Sequence, residues 1–140
     1  MDTGLDARFT RADDCALICS VAPGARIPGV PPNQLYGEVR WDGGAGWHAG
    51  INVFASSAVV VNDANTASAP GYVTAGIDIG RVLRRGGSTI APFLRIDDLF
   101  DRGYIGSVIV NDGNGRYFEP APGRSVMVGV RVRFDERAVE

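Results

Sequence analysis

The stretch Ser125-Val126-Met127-Val128-Gly129-Val130-Arg131-Val132-Arg133-Phe134 decides the fold of this chain. One alternate set of its positions is entirely apolar, and the other set carries both arginines. Because successive side chains of a β-strand point to opposite sides, this pattern predicts a strand with one continuous apolar face. A tilted strand needs about ten residues to cross the hydrocarbon of a membrane. A strand of a water-soluble sheet alternates in the same way, so the rest of the chain must distinguish the two.

Four upstream segments repeat the alternation and are separated by connections of two kinds. The predicted strands are residues 35–41, 47–55, 72–83 and 89–99, with short turns at 42–46 and 84–88 and longer connections at 56–71 and 100–124. Together with the last strand, they predict an all-β chain that folds as an antiparallel up-and-down meander of about five strands. Pro92 cannot donate to a strand ladder, so we expect it near a rim or a bulge.

The composition is that of an ordinary folded domain. The chain has 140 residues, of which 45% are hydrophobic, and a net charge of −2. This charge provides no basic surface for nucleic acid, so no nucleic-acid partner is predicted. No run of 18 apolar residues occurs, which excludes a membrane-spanning helix. No apolar segment follows Met1 as a signal peptide would require, so we expect a fragment if the protein is exported.

Polar and charged side chains collect on one face of the predicted strands. This register gathers Glu38, Arg40, His48, Asn52, Asp78, Arg95, Asp97, Arg131 and Arg133. An arginine that faced lipid at the middle of a membrane would cost about 2–4 kcal/mol. In a membrane barrel these residues would therefore face a water-filled or plugged lumen, where they are candidates for a ligand path. The solvated face of a soluble sheet suits them equally well.

The connections favour a membrane barrel over a soluble sheet. Outer-membrane barrels have short turns on one side and longer loops on the other, with aromatic girdles flanking the apolar band. Both short turns of this chain fall at one end of the predicted meander. Trp41, Trp47 and Phe134 lie at that end and are the candidates for a girdle.

The segment before the first predicted strand, residues 1–34, is irregular and rich in proline. Pro28, Pro31 and Pro32 fix φ and remove backbone donors, which favours an extended loop. Cys15 and Cys19 could close a small disulfide in an oxidising compartment, or they could remain two unpaired thiols. The spacing alone does not decide between these states.

No motif supports catalysis or a bound metal. Residues 44–49, Gly-Ala-Gly-Trp-His-Ala, fit the loose dinucleotide-binding pattern of an oxidoreductase, but that pattern requires a helix from Trp47. The segment alternates as a strand instead. Asp97, Asp98 and Asp101 lack the spacing of a calcium-binding loop, and an aspartate-rich turn explains them more simply. We predict no enzyme activity, no cofactor and no metal site.

Several segments resemble parts of TonB-dependent outer-membrane receptors. Residues 95–107, which contain Asp98-Leu99-Phe100-Asp101 and Tyr104, resemble the N-L-F-D-x-x-Y signature at the penultimate barrel strand of that family, with Asp98 in the place of the usual asparagine. Residues 115–124 look like the last extracellular loop of the family, and an alternating strand that ends in an aromatic residue follows them. Residues 27–31, 62–65 and 69–72 are similar to upstream parts of the barrel.

The resemblance implies the C-terminal five strands of a 22-stranded, plugged outer-membrane barrel of a Gram-negative bacterium. Residues 1–34 would be an extracellular loop region, residues 35–134 the C-terminal barrel strands and residues 135–140 a tail. The implied function is to form barrel wall for the uptake of a scarce nutrient such as a ferric siderophore. The implied partners are outer-membrane lipid, the nutrient, an N-terminal plug and the remaining strands, with TonB acting only through the plug.

Five strands alone would leave two sheet edges unpaired. Since unpaired backbone groups in hydrocarbon cost several kcal/mol each, we expect the isolated chain to aggregate unless further strands close it. The alternative function is that of a soluble antiparallel sheet that binds a ligand on its polar face.

Overall fold

The structure is a computed structural model, and it describes residues 13–15, 19–21 and 23–134 of the chain. The strands in chain order are β1 Asp13–Cys15, β2 Cys19–Val21, β3 Gln34–Asp42, β4 Trp47–Ser56, β5 Val59–Val60, β6 Ser68–Ala69, β7 Tyr72–Arg81, β8 Leu83–Arg85, β9 Ser88–Asp97, β10 Ile105–Val108, β11 Phe118–Pro120 and β12 Ser125–Phe134. A single 3-10 turn, Gly44–Gly46, is the helical element of the described part. No helix in these ranges is long and apolar enough to cross a membrane.

The five long strands form one sheet in the order β12-β9-β7-β4-β3, and β8 pairs with β9 beside β7. This antiparallel meander confirms the predicted fold class and the number of long strands. The first long strand begins at Gln34, one residue earlier than predicted. The predicted strand 72–83 is divided into β7 and β8, which are separated by Val82.

The register between β9 and β12 shows why the last strand has two distinct faces. All ten residues of β12 pair with β9, from Ser125 opposite Asp97 to Phe134 opposite Ser88. Each valine of β12 lies opposite an apolar residue of β9, for example Val128 opposite Leu94. A slip of one residue would move the apolar side chains of β12 to the polar face, so this alternation fixes the register.

Pro92 lies inside β9 rather than at a rim, with Val130 as its partner on β12. On the other side of β9, pairing with β7 ends at Gly80 opposite Phe93 and resumes with β8 at Leu83 opposite Ile90. The ladder is therefore interrupted beside Pro92, which has no N–H to donate. The prediction that Pro92 lies near a rim or a bulge is wrong. The proline lies inside the strand, where the interruption of the neighbouring ladder accommodates it.

The chain divides into two compact units, each described here by itself. The sheet unit comprises residues 36–53, 74–102 and the described residues from 123 onward. The loop unit comprises the described residues up to 35, residues 54–73 and residues 103–122.

The loop unit shows more order than the sequence predicted for its long connections. Residues 56–71 contain the pair β5–β6, and residues 100–124 contain the pair β10–β11. Val61 is fully buried, and its carbonyl oxygen accepts the N–H of Asn111 at 3.0 Å. Asn111 also bonds through its side chain to Asp63, at 3.0 Å to the backbone N–H and 2.8 Å to the carboxylate. The two connections are therefore joined to each other within this unit.

Two aspartates of the turn after β9 adopt the same backbone conformation in different surroundings. Asp98 has φ 47° and Asp101 has φ 52°. Asp98 is only 6% exposed, and neither of its carboxylate oxygens has a hydrogen-bond partner in the described part of the chain. Asp101 is exposed, and its carboxylate accepts the backbone N–H of Arg124 at 2.9 Å. A buried carboxylate without a partner is costly, whereas a bonded one at the surface is not.

Asp98→Asn is therefore expected to stabilise the fold by about 1–3 kcal/mol, because it removes a buried charge and asparagine tolerates this φ. Asp101→Asn is the matched control, and it should be neutral or destabilising since it weakens the bond to Arg124. The measurement is the urea midpoint of each variant in detergent. Destabilisation by Asp98→Asn would show that the carboxylate has a partner.

Candidate functional site

The polar face of the sheet unit carries a chain of bonded side chains that starts on β3. The hydroxyl of Tyr36 donates to Glu38 Oε2 at 2.7 Å, and Arg40 Nε lies 2.7 Å from Glu38 Oε1. Arg40 also reaches β7, where its Nη2 lies 3.7 Å from Asp78 Oδ2. Glu38 and Arg40 of β3 are therefore paired within this face, whereas Asp42 of the same strand has no ion pair in the described part of the chain.

A second ion pair lies on β9. Arg95 Nε donates to both carboxylate oxygens of Asp97, at 2.9 and 3.0 Å, and Arg95 Nη2 lies 2.8 Å from Asp97 Oδ1. A shallow cavity of about 420 Å³ opens on the same face. Its polar lining consists of Arg40, His48, Asp78, Arg95 and Arg131. Arg40 and Arg95 are already paired with carboxylates, so Arg131 is the arginine of this lining that remains to attract an anionic group.

Glycines on the polar face make room for the larger side chains beside them. A Cβ at Gly80 would lie 2.5 Å from His48 Nε2, and a Cβ at Gly129 would lie 2.5 Å from Phe93 Cζ. In the same way, Asp78 lies over Gly50 and Asn52 lies against Gly76. These side chains consequently lie along the sheet instead of projecting straight from it.

The two arginines of β12, Arg131 and Arg133, have no acidic partner among the described residues, unlike Arg40 and Arg95. In the described ranges, no ion pair or hydrogen bond engages the guanidinium of Arg131 or of Arg133. Their partners on β9 are Ala91 and Thr89, neither of which carries a charge. Of the acidic residues on the polar face, Glu38 and Asp78 are engaged with Arg40 and Asp97 with Arg95, whereas Asp42 lies on β3 at the opposite edge of the sheet. The unbalanced positive charge of this face is therefore concentrated on β12.

Most of the apolar face of the sheet unit is exposed. Val128 is 76% exposed and Phe134 is 79% exposed. The exposed side chains of this face are Val39, Trp41, Trp47, Ile51, Val53, Ile77, Ile79, Leu83, Ile90, Val126, Val128, Val130, Val132 and Phe134. Among the described residues, the buried hydrophobic side chains are only Val21, Val61, Ala69 and Ala75, and only Ala75 belongs to the sheet unit. A contiguous apolar surface of this kind marks a site that contacts a partner or a lipid phase.

The predicted girdle residues lie at the short-turn end of the sheet unit. Trp41 and Trp47 flank the 3-10 turn, and Phe134 pairs with Ser88 beside the turn at 86–87. The guanidinium of Arg81 lies 5.2 Å from the centre of the Trp47 ring. Such an aromatic and cationic group suits the boundary between an apolar layer and water.

The structure brings together most of the predicted site residues, and it adds others. Glu38, Arg40, Asp78, Arg95 and Asp97 form ion pairs, and His48 and Arg131 line the same cavity as three of them. Asn52 lies against Gly76, apart from the cavity, and Arg133 lies closer to the short-turn end. The sequence reasoning missed Tyr36, Phe93 and the glycines that accommodate neighbouring side chains. The signal available in the sequence was that glycine recurs among the polar-face positions of the strands, where it leaves room for a larger side chain on a neighbouring strand.

Several other predictions concern residues away from the polar face. Cys15 and Cys19 are backbone partners of β1 and β2, but their side chains lie outside the described part, so the disulfide stays a prediction. The tail 135–140 lies outside it as well. Trp47 begins strand β4 and not the helix that a dinucleotide site requires. Within the described ranges, no group of three or more His, Cys, Asp or Glu side chains is placed to hold a metal ion.

Two solved structures share this arrangement of strands. Over 77% of this chain, the ferric preacinetobactin receptor BauA from Acinetobacter baumannii superposes with a TM-score of 0.66 at 20% sequence identity. Over 79% of the chain, the ferric citrate transporter FecA in its unliganded form superposes with a TM-score of 0.69 at 18% identity. Both belong to the TonB-dependent receptors. This chain has the fold of part of their barrel.

The match extends over only a small part of those receptors. The chain covers 16% of BauA and 18% of FecA. No protein-family model matches the sequence. The barrel-segment fold that the resemblance implied is thus confirmed by structure, at a sequence identity that carries the fold alone.

Proposed function

We propose that the sheet unit forms part of the barrel wall of a TonB-dependent receptor in the outer membrane of a Gram-negative bacterium. The observation that carries this proposal is the exposed apolar face. A soluble sheet buries its apolar face under a second layer of structure, and that burial is the source of its stability. Lipid hydrocarbon would cover the face of this sheet without a second layer. This argues against the alternative of a soluble ligand-binding sheet.

The proposal assigns the two faces and the two ends of the sheet. The apolar face contacts lipid, and the polar face, with Glu38, His48 and the ion pairs, lines the lumen. The short-turn end, with Trp41, Trp47 and Phe134, lies at the periplasmic boundary, as in outer-membrane barrels generally. Residues 1–34 belong to the extracellular loops, residues 35–134 to the barrel strands and residues 135–140 to a tail.

The proposed cargo is a scarce nutrient such as a ferric siderophore. BauA is a receptor for ferric preacinetobactin and FecA is a transporter of ferric citrate. The cavity of the polar face supports an anionic cargo, because Arg131 in its lining has no acidic partner in the described part of the chain. The further partners of this function are an N-terminal plug, the remaining strands of the wall and TonB, which would act through the plug.

Tryptophan fluorescence tests the proposal, because Trp41 and Trp47 are the two tryptophans of the chain. In vesicles, lipids brominated near the head group should quench their emission more strongly than lipids brominated at the centre of the bilayer. Trp41→Phe leaves Trp47 as a single reporter and should preserve the order of quenching. Emission that neither lipid quenches would contradict a place in the membrane.

A further inference from the structure

We propose that the free edge of β12 binds an antiparallel strand that presents acidic side chains to Arg131 and Arg133. This inference rests on the proposed barrel wall and specifies the chemistry of the neighbouring strand. It also distinguishes the two edges of the sheet, since the unbalanced charge is positive on β12 and negative on β3.

The first step concerns the backbone of β12. In the described part of the chain this strand pairs with β9 on one side and with no strand on the other. The outward N–H and C=O groups along its ten residues therefore need partners. In hydrocarbon only another strand can supply them, because no water is present.

The second step concerns charge. Arg131 and Arg133 have no acidic neighbour on β9, where Ala91 and Thr89 lie opposite them. The remaining positions directly beside the two arginines belong to the strand at the open edge. Residues opposite each other in an antiparallel pair have Cβ atoms about 4.5–5.5 Å apart, within reach of an ion pair. Glutamate or aspartate at those positions would balance the arginines.

The other edge provides the contrast. On β3, Glu38 and Arg40 are bonded to each other, and Tyr36 and Asp78 complete the group. The remaining charge of β3 is Asp42, an exposed carboxylate that has no ion pair in the described part of the chain, so a strand added to β3 meets an unbalanced negative charge. The preference for acidic residues should be confined to β12.

Strand direction argues against a second copy of this chain as the occupant. Three strands lie between β3 and β12 in the antiparallel order, so β3 and β12 run in the same direction. Two copies with the same orientation in a membrane could join β12 to β3 only in parallel. An odd number of added strands closes the wall antiparallel throughout, as outer-membrane barrels require.

The experiment offers strand peptides to the chain in detergent micelles. Two ten-residue peptides alternate apolar and polar positions and carry a photoreactive group; they differ only by glutamate or lysine at the two positions opposite the arginines. Cross-links to β12 and β3 are counted by mass spectrometry. The glutamate peptide should label β12 about tenfold more than the lysine peptide, from attraction replacing repulsion at two positions. The β3 edge should show no preference for the glutamate peptide, because its unbalanced charge, Asp42, is negative.

Two controls make the result specific to charge. The preference at β12 should disappear in Arg131→Gln/Arg133→Gln and should shrink in about 1 M salt, where the screening length is about 3 Å. Equal labelling of β12 by both peptides, or dominant β12–β3 links between copies, would overturn the inference while leaving the barrel wall intact. A chain that is monodisperse without detergent and takes no peptide at either edge would overturn both.

Discussion

Arginine at position 128 is expected to destabilise the membrane-inserted chain by about 2–4 kcal/mol, the cost of an arginine at the lipid-facing midplane of a barrel. Val128 lies near the middle of β12 on the apolar face and is 76% exposed. The side chain would have to hold its charge in hydrocarbon or displace the strand. The expected readout is a matching loss in the urea midpoint of the chain in lipid vesicles, assembled with the strands that close the wall.

Met127→Arg is the matched control, because it places the same charge one residue away on the polar face. Met127 is 56% exposed and lies opposite Arg95, whose charge Asp97 already balances. Residual repulsion should cost less than about 1 kcal/mol. Gly129 would be a poorer control, since a side chain there would collide with the ring of Phe93. Equal losses from Val128→Arg and Met127→Arg would remove the argument that lipid covers one face.

Gly46→Ala is expected to cost about 3 kcal/mol, because two independent effects act at this position. Gly46 has φ 80°, a left-handed conformation that disfavours any Cβ. A Cβ there would also overlap the carbonyl oxygen of Val82, which belongs to the backbone and cannot rotate away. The same close approach lets the carbonyl oxygen of Gly46 accept the N–H of Val82 at 2.8 Å. The substitution therefore also weakens the hydrogen bond that holds the turn against Val82.

Two other turn glycines separate these effects. Gly86→Ala should cost about 1 kcal/mol, since Gly86 has φ 58° but nothing within 4 Å of a new Cβ. Gly44→Ala should change stability by less than about 0.5 kcal/mol, because Gly44 has neither a left-handed φ nor a neighbour. Urea midpoints measured in the same detergent give the order. A loss at Gly46 no larger than at Gly86 would show that the turn does not lie against Val82.

The long strands were predictable because their side chains alternate for nine or ten residues between recognisable turns. The period of two fixes which residues share a face, so the polar set from Glu38 to Arg133 could be written down before any pairing was known. The pairs Glu38–Arg40 and Arg95–Asp97 lie two residues apart on single strands, which made them accessible to the same reasoning.

Contacts between strands were harder to predict. The ion pair of Arg40 with Asp78 depends on the offset between strands, which alternation alone does not specify. The same holds for Phe93 beside Gly129 and for the interrupted ladder beside Pro92. The short hairpins of the loop unit escaped prediction because β5 and β6 have only two residues each, too few for a period to show.

Lipid accessibility along β12 tests the central claim most directly. A nitroxide is placed in turn at positions 126, 127, 128, 130, 131 and 132 of a chain with Cys15→Ser and Cys19→Ser, in lipid vesicles. Collision with oxygen, which concentrates in hydrocarbon, should be high at Val126, Val128, Val130 and Val132. Collision with a water-soluble nickel chelate should be high at Met127 and Arg131. Positions that report water on both faces, or no alternation, would contradict a barrel wall.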